Sequence, residues 1–209
     1  MDLFTSNLKL ILLFRYFLIH KPFGMLSQFT REGEHATLAD LGYDFMKDIY
    51  PVGRLDADSE GLLLLTNDNY LKTKLLEPRN KHARTYYVQV EGEITEEACA
   101  ALRSGVNISI NGKQYKTLPA QASPIDEPTL PERNPPIRFR KNIPTSWVSI
   151  MLHEGKNRQV RRMTAAVNFP TLRLVRWAIG GITLGDYAVS KAAGDVWEIK
   201  GQDVQRLLQ

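Results

Sequence analysis

Gly53-Arg54-Leu55-Asp56-Ala57-Asp58-Ser59-Glu60-Gly61 runs directly into Leu62-Leu63-Leu64-Leu65-Thr66-Asn67-Asp68. The four leucines are too few to span a bilayer and too apolar for a surface, so the run reads as a strand buried on both faces. The polar turn before it then stands at the mouth of a buried strand, where a carboxylate can be held rigidly at the floor of a cleft. Asp56, Asp58, Glu60 and Gly61 also fit the opening positions of a calcium-binding EF-hand loop. That reading fails at the last position, where Asn67 replaces the bidentate Glu, and no amphipathic helix precedes the loop. A solvated acidic turn without function is the plainer alternative, and motifs elsewhere in the chain weigh against it.

The chain has 209 residues, 43% hydrophobic and 24% charged, which suits a soluble globular protein with one core or two closely packed subdomains. Its net charge of +4 matters less than where the cations lie. Arg133, Arg138, Arg140, Lys141, Lys156, Arg158, Arg161 and Arg162 are opposed within 133–162 by Glu154 alone. Lys72, Lys74, Arg79, Lys81 and Arg84 are opposed by Glu77 alone. Such clusters suit a phosphate backbone, although either by itself reads equally well as a solvated face. The single cysteine, Cys99, and the scattered histidines 20, 35, 82 and 153 make no metal-ligand spacing. No metal site and no cofactor are expected. Leu8–Ile19 is apolar, but Lys9 and Arg15 interrupt it and no small-residue cleavage site follows. It reads as a tail entering a first strand, so we expect a cytoplasmic protein without a membrane partner.

Tyr16–Ile19 followed by His20-Lys21-Pro22-Phe23-Gly24 reads as a strand ending in a turn. Tyr86–Val90 alternates, with Tyr86, Val88 and Val90 on one face. Val106, Ile108 and Ile110 alternate into Asn111-Gly112, a type I′ hairpin signal, and Val148, Ile150 and Leu152 form a further strand. Glu96–Ser104 reads as a helix, with Thr95 as N-cap, Gly105 as its stop and Cys99 as a small buried thiol. Ser123–Ser146 holds six of the eleven prolines and reads as a long, partly extended surface loop with a basic second half. Together these elements predict an α+β fold with a mixed, mostly antiparallel sheet.

His153-Glu154-Gly155-Lys156-Asn157-Arg158-Gln159-Val160-Arg161-Arg162-Met163 carries the second cluster of chemistry. Asn157 is a good N-cap for a helix running to about Val167. On such a helix Val160, Met163 and Val167 share one side, and Arg158, Arg161 and Arg162 the other. An anchored apolar face would present three guanidinium groups to a cleft or to solvent. One of them could pair with Asp56 and keep it ionised.

These motifs resemble, in order, those of the ribosomal RNA pseudouridine synthases of the RsuA family. GRLDADSEGLLLLTND resembles the active-site motif, and the resemblance makes Asp56 the catalytic residue, with Arg54 beside it at the substrate. HEGKNRQVRRM resembles the third motif, which implies that Arg161 forms a salt bridge to the catalytic aspartate. Arg84-Thr85-Tyr86 resembles a Lys-x-Tyr motif whose tyrosine stacks on the target base, with Arg84 in place of the lysine. Lys21-Pro22-Phe23-Gly24 matches the first motif, and TLRLVRWAIG, with Leu174 and Arg176, matches the segment that closes the site. RNPPIRFRKNIPTSW is most similar to the branch that modifies large-subunit, 23S, ribosomal RNA.

The resemblance implies the family's catalytic fold over 15–209, two subdomains around a central cleft, behind a 1–14 tail too short for an S4 RNA-binding domain. It also implies a bacterial protein. Asp56 is then expected to be catalytic, and Tyr86, Arg161, Arg54 and Leu174 to hold the substrate nucleotide. Lys21, Arg138, Arg140, Lys141, Arg158, Arg162 and Arg176 are expected to contact ribosomal RNA, free or in an assembling subunit, with the protein a monomer. The chemistry agrees with the residues. Converting a uridine to its C-glycoside isomer needs one placed carboxylate, an aromatic platform and cations that hold a flipped nucleotide, but no metal or redox cofactor. An RNA-binding assembly factor without catalysis would explain the cations but not the carboxylate–tyrosine–arginine set. A metal-dependent nuclease using Asp56, Asp58 and Glu60 lacks further acidic ligands.

Overall fold

A computed structural model describes residues 14–137, 143–187 and 192–209. The strands are β1 (Tyr16–Lys21), β2 (Tyr50–Pro51), β3 (Glu60–Thr66), β4 (Arg84–Glu91), β5 (Asn107–Ile110), β6 (Lys113–Lys116), β7 (Gln121–Ile125), β8 (Thr145–Leu152), β9 (Thr171–Ile179), β10 (Ile182–Thr183) and β11 (Val196–Ile199). The helices are α1 (Asn69–Leu76), α2 (Glu96–Ser104), α3 (Gln159–Ala166) and α4 (Gln202–Arg206). One sheet runs β11-β1-β3-β9-β4-β8-β7, and β5-β6 form a separate hairpin. The β3–β9 pairing is parallel and the other described pairings are antiparallel, so the sheet is mixed as expected. Two antiparallel halves therefore meet at one short parallel seam, where Glu60 pairs with Val175 and Gly61 with Arg176.

The leucine run explains why β3 sits at that seam. Leu62 and Leu64 enter one core with Leu18, Val175 and the α1 residues Leu71 and Leu75. Leu63 and Leu65 enter a second core on the other face with Phe17, Ile19 and Leu38. Each leucine is fully or almost fully buried, worth roughly 1.5–3 kcal/mol per side chain. A third core under β4 and β8 takes Val88, Val90, Val148 and Ile150, closed by Cys99 and Leu102 of α2 and by Val160 and Met163 of α3.

Local signals place several elements as read. Thr95 Oγ1 accepts from the Ala98 amide and Gly105 follows α2 with φ 83°. Asn111 and Gly112 both have positive φ, as the I′ turn requires. Other readings change. The ends of the expected Pro-rich loop are strand, since Pro124 lies in β7 and Thr145 opens β8. Part of it is also held against the body. Leu130 packs on the first core, and the Pro131 carbonyl accepts from Arg173 Nη2 at 2.8 Å. Arg133 lies over the Phe23 ring at 4.3 Å. Among the described residues no helix is long and apolar enough to cross a membrane.

Candidate active site

The turn ahead of β3 is clamped from several sides. Ser27 Oγ accepts from the Leu55 amide at 3.0 Å and donates to the Leu55 carbonyl at 2.9 Å. The Gly24 amide donates to the Ala57 carbonyl at 2.7 Å, and the Ser59 amide to the Asp56 carbonyl at 3.0 Å. Lys21 is fully buried, and its ammonium donates to the carbonyls of Pro22, Met25 and Ala57. Burial pushes that ammonium down to about 8. Lys21 is thus a buttress under the acidic turn and not the RNA contact expected from the sequence.

Asp56 lines a cleft of about 710 Å³ together with Arg54, Tyr86, Leu174, Lys156 and Arg158. Tyr86 reaches this cleft next to a bulge. Thr85 pairs with Ala178 and Tyr86 with Arg176, which leaves Trp177 as the extra residue on β9. Bulges of this kind re-aim side chains beside sites. Arg176, expected at the RNA surface, is instead buried, paired with Tyr86 across the neighbouring strands β9 and β4. It donates to the Leu62 carbonyl at 2.6 Å.

The arginines of α3 do not share one face toward the cleft. The helix begins at Gln159, one residue later than an Asn157 cap would allow, because Arg158 takes a left-handed conformation (φ 51°). The Lys156 amide is bonded to Gln159 Oε1. Arg158 forms a fork on Asp58, with 3.1 and 2.7 Å contacts, and its Nη1 lies 3.6 Å from Asp56 Oδ2. Arg161 Nη2 donates to the Asp58 carbonyl at 2.6 Å and lies 3.4 Å from Asp58 Oδ2. The pairing expected between Arg161 and Asp56 is therefore redistributed: Arg158 reaches both carboxylates and Arg161 holds Asp58. Asp58 is accordingly not a solvated edge. Partial burial raises its pKa, but the Arg158 hydrogen bonds and the charges of Arg161 and Arg158 outweigh this and hold it below the usual carboxylate range. Arg162 turns away to the Ser109 carbonyl and Asn157. Arg138, Arg140 and Lys141 lie outside the described residues.

Residues unread in the sequence complete the frame. Glu154 accepts from Tyr115, the Leu118 amide and Gln159, which ties the β8–α3 turn to the hairpin side of the molecule. Glu154 and Gln159 lay inside a recognised motif, whereas nothing around Ser27 in the sequence announces its role. Among the described residues no cluster of three His, Cys, Asp or Glu side chains is placed to hold a metal ion.

A cleft built on a buried strand, with a clamped carboxylate, an aimed tyrosine and an arginine fork, is the setting of base-modifying chemistry on RNA. The RNA pseudouridylate synthase family model matches residues 15–166, and the chain belongs to that family. It is 54% identical over 169 residues to ribosomal large subunit pseudouridine synthase E of Vibrio parahaemolyticus, covering 81% of this chain and 68% of that protein. The protein of the same name from Xanthomonas axonopodis pv. citri is 50% identical over 166 residues, covering 78% and 84%. A solved pseudouridylate synthase structure superposes with a TM-score of 0.74 at 26% identity, over 93% of this chain and 74% of the other.

Proposed function

We propose that this protein isomerises a specific uridine of large-subunit, 23S, ribosomal RNA to pseudouridine, with Asp56 as the catalytic carboxylate acting on a flipped-out nucleotide. The observation that carries the reading is the placement of Asp56 and Tyr86 on opposite sides of the sheet seam, lining one cleft with Arg158. The large-subunit assignment rests on the two relatives whose names specify the ribosomal large subunit.

In this reading the uracil stacks on Tyr86, and Leu174 and Arg54 border it. Ionised Asp56 faces the sugar. It either adds to C1′ or takes the C2′ proton to form a glycal, and both routes break the N1–C1′ bond. The freed base turns and C5 bonds to C1′, as the Asp56–C1′ bond breaks in the first route or Asp56 returns the proton to C2′ in the second; the C5 proton is then lost to solvent and N1 takes one up. Arg158, 3.6 Å from Asp56 Oδ2, orients it. Lys156 and Arg158 hold the displaced backbone.

Release of tritium from C5-labelled 23S ribosomal RNA tests this. Wild type should release it at the same rate with or without chelator, and Asp56→Asn should release none while binding RNA with nearly unchanged affinity. An active Asp56→Asn would remove Asp56 from the mechanism. RNA cleavage inhibited by chelator would replace isomerisation with metal-dependent hydrolysis.

A further inference from the structure

We propose that a cationic groove leads from the cleft to Tyr70 and carries single-stranded RNA flanking the target nucleotide, with the exposed Tyr70 ring stacking on a flanking base. The inference rests on the functional reading above and deepens it by assigning where the substrate strand leaves the site.

Three concavities follow one another. The cleft shares Arg54, Tyr86, Glu154, Gly155 and Lys156 with a side cavity of about 220 Å³. That cavity shares His82 with an outer pocket of about 320 Å³ lined by Tyr70, Lys74, Asn80 and Lys81. The walls are fixed. Arg84 Nη2 donates to the Leu75 carbonyl at the end of α1, and His153 Nδ1 donates to the Lys81 carbonyl. Arg176 also borders the side cavity, and one of its nitrogens has no protein partner. Glu77 and Glu154 line the same cavity, where the cations Arg54, Arg84, Lys156 and Arg176 outnumber them.

The outer end has the parts of a single-strand platform. Tyr70 is 69% exposed, and the Lys74 ammonium lies 5.5 Å from its ring centroid. Glu77 is already engaged by Arg79 at 3.7 Å, and among the described residues no carboxylate pairs with Lys74 or Lys81. Exposed aromatic rings interleaved with unpaired cations suit stacked bases and a phosphate backbone. A protein partner would be expected to find a broader apolar patch here.

Tyr70→Ala and the double variant Lys74→Ala/Lys81→Ala test the groove, since these surface residues take no part in the catalytic cleft. The probes are a full-length 23S RNA transcript for turnover and a twelve-nucleotide oligouridylate for binding. Each variant should raise KM for the transcript about tenfold, the scale of one lost base stack. The single-turnover rate at saturation should stay within about twofold of wild type. The double variant should also shallow the salt dependence of oligouridylate binding by about 1.4, the value for two single-strand phosphate contacts. Unchanged KM and salt slope in both variants overturn the groove. So does a defect that appears on ribosomal particles but not on naked transcript, which would mark a protein contact. A wild type that binds oligouridylate through Tyr70 but never isomerises 23S RNA would instead defeat the functional reading and leave the groove standing.

Discussion

Asp58 shows how far one residue can be read from its neighbours in sequence. Two positions from Asp56, it looked like the wet side of a turn, and nothing local announced that Arg158 and Arg161, a hundred residues later, would close on it. Because Arg158 bridges to Asp56 as well, Asp58→Asn should loosen the cation that orients the Asp56 carboxylate, the proposed catalytic group. Losing a charge-assisted fork of this kind is worth roughly 1.5–3 kcal/mol, so kcat should fall about 10- to 100-fold with KM changed far less. Steady-state kinetics of Asp58→Asn beside Asp56→Asn, which should be inactive, check the ordering. His82 gives a pH signature. Burial, with the charges of Arg84 and His153, pushes its pKa down to about 4. The folded protein thus resists a proton that the unfolded chain accepts near the ordinary value of about 6.5. The stabilisation is complete above that pH and drains away as pH falls through 4, amounting to at most about 3 kcal/mol. Urea midpoints between pH 7 and 4 should decline, and His82→Gln should flatten the decline.

At the scale of elements, legibility followed the range of the signal. The helix Glu96–Ser104 carries its own cap and stop, and the Asn111-Gly112 hairpin its own turn chemistry, so both were visible in a window of a few residues. The start of α3 was not, because the side chain of Gln159 takes the Lys156 amide and Arg158 turns left-handed to reach Asp58. Helix α1 was overlooked for another reason. It turns only Leu71 and Leu75 inward, and its cations dominate the pattern. Gly61 belongs at this scale too. The motif supplied a glycine, but only the seam shows why: a Cβ there would sit 2.3 Å from the Arg176 carbonyl oxygen, at φ 103°. Gly61→Ala must therefore spread β3 from β9. We expect a loss of roughly 2–5 kcal/mol in urea denaturation, from backbone strain and overpacking together. Turnover should drop further than stability alone explains, since the Arg176 backbone that would shift pairs with Tyr86 across β9 and β4.

The whole molecule depends on how its two half-sheets are joined, and this was the least legible property of the chain. Glu60 begins β3 and Arg173 lies in β9, 113 positions apart, and no periodicity links them. The structure pairs them through two hydrogen bonds of 2.9 and 2.8 Å, with Glu60 2% and Arg173 8% exposed. Arg173 also donates to the Pro131 carbonyl, so the same guanidinium pins the Pro-rich segment to the seam. A buried ion pair recovers little beyond its own desolvation, yet removing one member leaves a stranded charge. Glu60→Met or Arg173→Met alone should therefore destabilise by about 3–5 kcal/mol. The double variant Glu60→Met/Arg173→Met should regain most of that loss, because two apolar side chains of similar length can fill the seam without stranding a charge. Urea unfolding of the three variants and wild type closes the cycle. Additive losses would mean that the two charges act separately and that the halves are held together by the leucine cores alone. A recovered double variant that binds RNA normally but turns over slowly would show what the ion pair adds. It would do so by fixing the register of β3 against β9, and with it the distance from Asp56 to Tyr86 across the cleft.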